Sequence, residues 1–140
     1  MPASVRLIRF YRHVFLWVLQ GWLAMFYAGA AVAKLSQPLD TLSYLLEWPA
    51  RVDPVLVQAV GWAELALAIA VLAPLASWRV FRPVLLIGAA GLLAEAAVMG
   101  VYHAIGAHWS LAIVNLVLAS AAATVLFGRR AAAERMDARA

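Results

Sequence analysis

Glu64 and Glu95 are acids inside long apolar runs of the sequence. A charged side chain near the centre of a membrane helix costs roughly 2.5–3.5 kcal/mol on insertion scales. Two such acids in one small chain therefore need an explanation. Away from water each is expected to be a neutral acid, able to donate a hydrogen bond or to carry a proton. The simpler alternative is a structural hydrogen bond between helices, worth about 1 kcal/mol. Glu95, Met99, and Tyr102 or His103 follow at i, i+4 and i+7/i+8, on one helical face. His108 and Asn115 are seven apart and share a face of the next helix. Lys34 ends the first apolar run on the same side. The spacing predicts one polar cluster of Lys34, Glu64, Glu95, His103, His108 and Asn115, opening outward.

The cluster suits some chemistries better than others. Acid, lysine and amide donors can hold a carbonyl, and Trp62, Met99 and Tyr102 could wall an apolar ring and tail. His103 and His108 are the weak metal candidates. Two histidines five apart do not by themselves converge, so no metal is expected. No pair of facing mid-span histidines exists for haem. With no Cys, thiol relays, thiolate metal sites and disulfides are excluded. His13 and Gln20 lie toward the other end and are read as incidental.

The elements that must position these residues follow from composition. Of 140 residues, 66% are hydrophobic and 13% charged, against roughly half and a quarter in a soluble domain. That excludes a soluble globular domain and a disordered chain, and leaves an all-α transmembrane four-helix bundle. The chain reads as one integral membrane domain over residues 1–140, with spans at about 11–35, 55–73, 83–102 and 109–127. Asp53 and Pro54 start the second span and Pro74 stops it. Between the first two spans, Leu39, Leu42, Leu45 and Leu46 fall near one face, with Tyr44 and Trp48 at headgroup level. This predicts a short interfacial helix ended by Pro49. Gly29 and Ala33, and Ala90 and Ala94, are small-residue pairs suited to helix packing.

Arg6, Arg9 and Arg12 before an apolar run ending Ala31-Val32-Ala33 resemble a signal-peptide layout. The run is long and aromatic for that role, so it is read as a retained span. Four spans then place nine of the eleven Lys+Arg, including Arg79, Arg82, Arg129, Arg130, Arg135 and Arg139, on one side. The positive-inside rule puts both termini in the cytoplasm and the protein in the inner (cytoplasmic) membrane. The arginines read as topology and lipid contact, with no nucleic-acid partner. Beyond Arg129 the tail reads as frayed.

Gly29 to Lys34-Leu35, Gly61-Trp62-Ala63-Glu64, and the Gly128-Arg129 exit from the last span resemble the DoxX family of small four-helix membrane proteins. The resemblance covers nearly the whole chain, and the family's charged positions map onto Lys34 and Glu64. The longer C-terminal signature of the family is replaced by Arg130 to Ala140. The resemblance implies several roles. Some relatives are membrane subunits of quinone-linked sulfur oxidation, such as thiosulfate:quinone oxidoreductase. Others belong to oxidative-stress complexes, and more distant ones are membrane chaperones or cargo receptors.

Three functions are therefore carried forward. The first is a quinone-binding or redox-associated accessory subunit of a larger membrane complex. In it Glu64 and Glu95 would polarise the headgroup, with Lys34, Asn115, Tyr102 and Trp62 completing the site. The chain would be no enzyme by itself, and a membrane or periplasmic protein would supply electrons. The second is a non-enzymatic assembly protein, binding a membrane partner or a second copy. The third is a small proton-coupled transporter. Gly61–Glu64 and Gly91–Glu95 differ by one in spacing, which argues against an inverted repeat and so against the third.

Overall fold

The computed structural model describes residues 3–137, with side chains from 4 to 131. Its elements are α1 (Ala3–Ser36), α2 (Leu39–Leu46), α3 (Pro54–Leu72), α4 (Trp78–Ile105) and α5 (Trp109–Asp137). Short 3-10 turns, Trp48–Arg51 and Ala73–Leu75, flank α3. There is no strand among the described residues. Four helices are long and apolar enough to cross a membrane: Ser4–Ser36, Pro54–Leu75, Trp78–Ile105 and Trp109–Ala131. The all-α four-helix architecture follows. α1 packs on α3, α3 on α4, α4 on α5, and α5 closes back on α1. Leu23 of α1, Val71 of α3, Leu92 of α4 and Val125 of α5 meet in the buried core.

The helix boundaries have local causes. Asp53 Oδ1 accepts from the Val55 N–H at 2.8 Å, and Pro54 starts α3 without needing a donor. Pro74 forces the tighter turn that ends it. Three helices run further than the sequence pattern suggests. α1 starts by Ala3, α4 by Trp78 rather than residue 83, and α5 continues to Asp137 instead of fraying after Arg129. In α4 Pro83 lies inside the helix. It falls in the second turn, where the N–H of Phe81 already bonds the Ser77 carbonyl. The side chains of Arg135 and Arg139, used in the orientation argument, lie outside those described.

α2 is a cap on the bundle end. Leu42 and Trp48 are buried with Val57, against Ala33, Met99 and Tyr102. Trp48 thus packs inward, while Tyr44 is exposed. The chain turns out of α2 at Glu47, which has φ of 63°, a conformation costing an L-residue about 1–2 kcal/mol. The His108 ring pairs with the Glu47 carboxylate and ties this turn to the α4–α5 connection. Both partners are partly solvated, so the pair is worth only about 0.2–1 kcal/mol. His108→Ala should accordingly speed amide exchange modestly across residues 39–51, with α3 to α5 unchanged. Equal exchange in that segment would show that the pair does not hold the cap.

Candidate functional site

Lys34 leaves the last turn of α1 and points into the bundle, 7% exposed. Its Nζ donates to both Glu64 oxygens, at 2.7 and 2.8 Å. Glu64, from the middle of α3, is 3% exposed. This is ion-pair geometry, and it replaces the expectation of an isolated neutral acid at position 64. The close approach of α1 and α3 depends on Gly61. A Cβ there would stand 3.1 Å from the Lys34 Cβ and 3.2 Å from the Leu35 Cγ.

Glu95 of α4 lies beside this pair, close enough for Glu64 and Lys34 to act on it. Lys34, Glu64 and Glu95 thus form a polar triad in which the lysine is matched by the Glu64 carboxylate. Pairing the lysine with one of the acids offsets much of the cost of burying them in an apolar bundle. Lys34 and Glu64 are buried, whereas Glu95 is half-buried, so the triad is not sealed. The Tyr27 ring is buried beside it, and its hydroxyl reaches the Leu92 carbonyl at a long 3.4 Å. That hydroxyl is absent from the candidates drawn from sequence. Tyr27 lies seven residues before Lys34, on the same face of α1, and that spacing is the available signal.

The other sequence candidates are distributed elsewhere. Tyr102 and Met99 pack under α2, one layer outward from the triad. His103 is buried, with its ring 6.2 Å from that of His108, and its Nδ1 has no hydrogen-bond partner. Among the described residues no group of three or more His, Cys, Asp or Glu could hold a metal ion. Trp62 is 62% exposed on the outside of α3 and does not reach the triad. Asn115 donates to its own helix, at the Leu111 carbonyl. It lines a separate groove of about 480 Å³ between α4 and α5 with Gly100, Ala104, Ala112 and Ala119. The expected cluster of six thus divides into the triad, the capping pair of histidines, and a lone amide.

A second polar centre lies toward the other end of the bundle. Arg129 of α5 is 1% exposed, although the sequence pattern marks it as a topological surface charge. Its Nε donates to Gln20 Oε1 at 2.6 Å, and Gln20 Nε2 donates to the Val71 carbonyl at 2.9 Å. The guanidinium is stacked between Trp17 and Trp78, 4.9 and 5.0 Å from the ring centroids. Gln20 and His13 are therefore parts of a built cluster. No local pattern separates Arg129 from the arginines around it. Gly128 is the indirect signal, since a Cβ there would meet the Leu16 side chain at 2.9 Å, drawing α5 onto α1.

Fold and site together define a small helical integral membrane protein organised around a buried lysine–glutamate pair with a half-buried second acid beside it. Residues 18–125 match the DoxX-like family, and the chain belongs to that family. No curated protein and no solved structure matches it.

Proposed function

We propose that this protein is a quinone-binding, redox-associated accessory subunit of a larger membrane complex. It would lie in the inner membrane with both termini cytoplasmic, as the concentration of arginines at one end favours. The observation that carries the reading is the buried Lys34–Glu64 pair with half-buried Glu95 beside it inside an apolar bundle. A quinone headgroup offers two carbonyl acceptors and an apolar ring. Glu95, half-buried, and Tyr27, whose hydroxyl is only weakly held, are the donors available to such carbonyls. Lys34 would act through Glu64, holding its carboxylate in place beside Glu95. Trp62 and Asn115 drop out of the proposed contact set, and Tyr102 would serve the cap above it. A bound quinone would supply the two-electron, two-proton carrier chemistry, and a partner protein would exchange electrons with it.

The test is quinone retained per chain, measured by mass spectrometry after purification in mild detergent. Glu95→Leu spares the Lys34–Glu64 pair, so the bundle should stay folded. Loss of the hydrogen bond from Glu95 to a quinone carbonyl should lower occupancy about tenfold, and Tyr27→Phe should lower it less. Trp62→Ala, on the outer face, should leave it unchanged. Equal occupancy in wild type and Glu95→Leu, both folded, would reject the site.

A second reading has its own support. The groove between α4 and α5 exposes a run of small residues to the membrane, which suits close approach by another helix. An assembly role predicts a stoichiometric protein partner and no retained quinone.

A further inference from the structure

Among the described side chains, the cluster around Arg129 has more hydrogen-bond donors than acceptors and no counter-charge. Arg129 Nη2 is buried and has no hydrogen-bond partner. Nη1 lies 3.3 Å from His13 Nδ1, while Trp17 Nε1 donates to His13 Nε2 at 3.0 Å. A neutral imidazole accepts at one nitrogen and a protonated one at neither, so these two contacts cannot both be hydrogen bonds. The other acceptor is Gln20 Oε1, taken by Nε. Among the described side chains no carboxylate pairs with Arg129. Burial weighs most against its charge, and the like charge of Arg12, next to His13 on α1, adds to that cost. Buried cations without a counter-charge are costly, and an orphaned buried donor commonly marks an ion or water.

Position in the membrane narrows the choice. Trp17 and Lys34 are 17 residues apart on α1, or about 26 Å at 1.5 Å per residue. That approaches the ~30 Å of a hydrocarbon core. The Arg129 cluster therefore lies at the interface opposite the Lys34 end, where phosphate groups are densest. Trp17 and Trp78 flank it, as belt residues do. α4 also begins there, and Ser77 gives its free N–H groups no side-chain cap. The cluster borders that interface, because His13, 3.3 Å from Nη1, is exposed.

We infer that Arg129, with Arg12 and the start of α4, forms a site for a phosphate group at the arginine-rich end of the bundle. The phosphate oxygens take the bond that Nη2 lacks and accept from Nη1, which leaves His13 free to accept from Trp17. An anion between Arg12 and Arg129 also converts their repulsion into a shared attraction. The guanidinium fork matches two oxygens of one phosphate, whereas a lysine at 129 could offer only a point charge.

The full chain in neutral detergent is titrated with short-chain phosphatidylglycerol, short-chain phosphatidylcholine or inorganic phosphate. Bound ligand is read by native mass spectrometry, and thermal stability is measured in parallel. Wild type should retain about one phosphatidylglycerol, and Arg129→Lys should lose about tenfold in affinity. Arg12→Gln supplies the second readout should Arg129→Lys fail to fold. If an anion lies between the arginines, Arg12→Gln weakens retention. If none does, it removes a repulsion, so stability rises and retention is unchanged, and the site is overturned. Preference for phosphatidylglycerol over inorganic phosphate identifies a lipid headgroup as the source. Equal binding of both identifies a free phosphate. Retention of all three ligands unaffected by either substitution overturns the proposal.

Discussion

Glu64→Leu should destabilise the bundle by about 3–5 kcal/mol, the cost of breaking a buried ion pair and leaving one charge behind. The charge left behind is Lys34, 7% exposed and held by both Glu64 oxygens, with half-buried Glu95 as its remaining acidic neighbour. The double substitution Lys34→Met/Glu64→Leu should recover most of that loss. Two apolar side chains of similar volume remove the desolvation cost together with the attraction, and such replacements are often neutral or stabilising by about 1–4 kcal/mol. Both variants can be followed by helicity and tryptophan fluorescence as detergent micelles are titrated with a denaturing detergent. A double variant as unstable as Glu64→Leu alone would mean that the pair holds the bundle by attraction. If the double variant is stable yet retains no quinone, the triad is there for binding and not for folding.

The other large effect concerns helix approach. At Gly88 an added Cβ would stand 2.8 Å from the Ala70 Cβ, 3.1 Å from the Val71 nitrogen and 3.2 Å from the Leu67 carbonyl oxygen. Two of those atoms are backbone, so α3 and α4 must separate to admit a side chain. Gly88→Leu should cost at least the ~1–3 kcal/mol typical of overpacking, and more because rotamer changes cannot relieve it. The contrast is Gly29, exposed and with nothing within 4 Å of where a Cβ would stand. Gly29→Ala should gain up to ~1 kcal/mol from helix propensity alone. Opposite signs at two glycines of similar sequence setting, measured in the same detergent titration, would locate the tight interface at α3–α4. A neutral Gly88→Leu would contradict that packing.

These two glycines show what can be read from the chain. Four apolar runs, the capping Asp53, and the terminating prolines act locally, and each is legible. Lys34 and Glu64 are also legible, because an ionisable group in a span is conspicuous wherever its helix turns. The inward face of each helix is not. Lipid tails are as apolar as a leucine core, so no polar stripe marks the outside of a span. Trp62, two residues before Glu64, consequently faces outward. Gly29 shows the same ambiguity, since its pairing with Ala33 fits packing but its side of α1 is open. Asn115 satisfies itself within its own helix, an outcome that spacing alone does not distinguish from a contact across helices. Arg129 is hidden for another reason. Counting arginines gives topology, and the count does not reveal that one of them is folded inward between two indoles.

The pairing of Lys34 with Glu64 also sets a schedule for biogenesis. The two partners are separated by 30 residues. At translation rates of about 5–20 residues per second, Lys34 leaves the ribosome roughly 2–6 s before its counter-charge. During that interval α1 enters the bilayer with an ammonium at its trailing end and no acid to meet it. The lysine's flexible stem can carry the charge to the far headgroups while it waits. Arrival of α3 then withdraws it into the bundle. Insertion of the second span is thereby coupled to the final placement of the first, and a nascent chain arrested before Glu64 should leave Lys34 open to amine-reactive labelling.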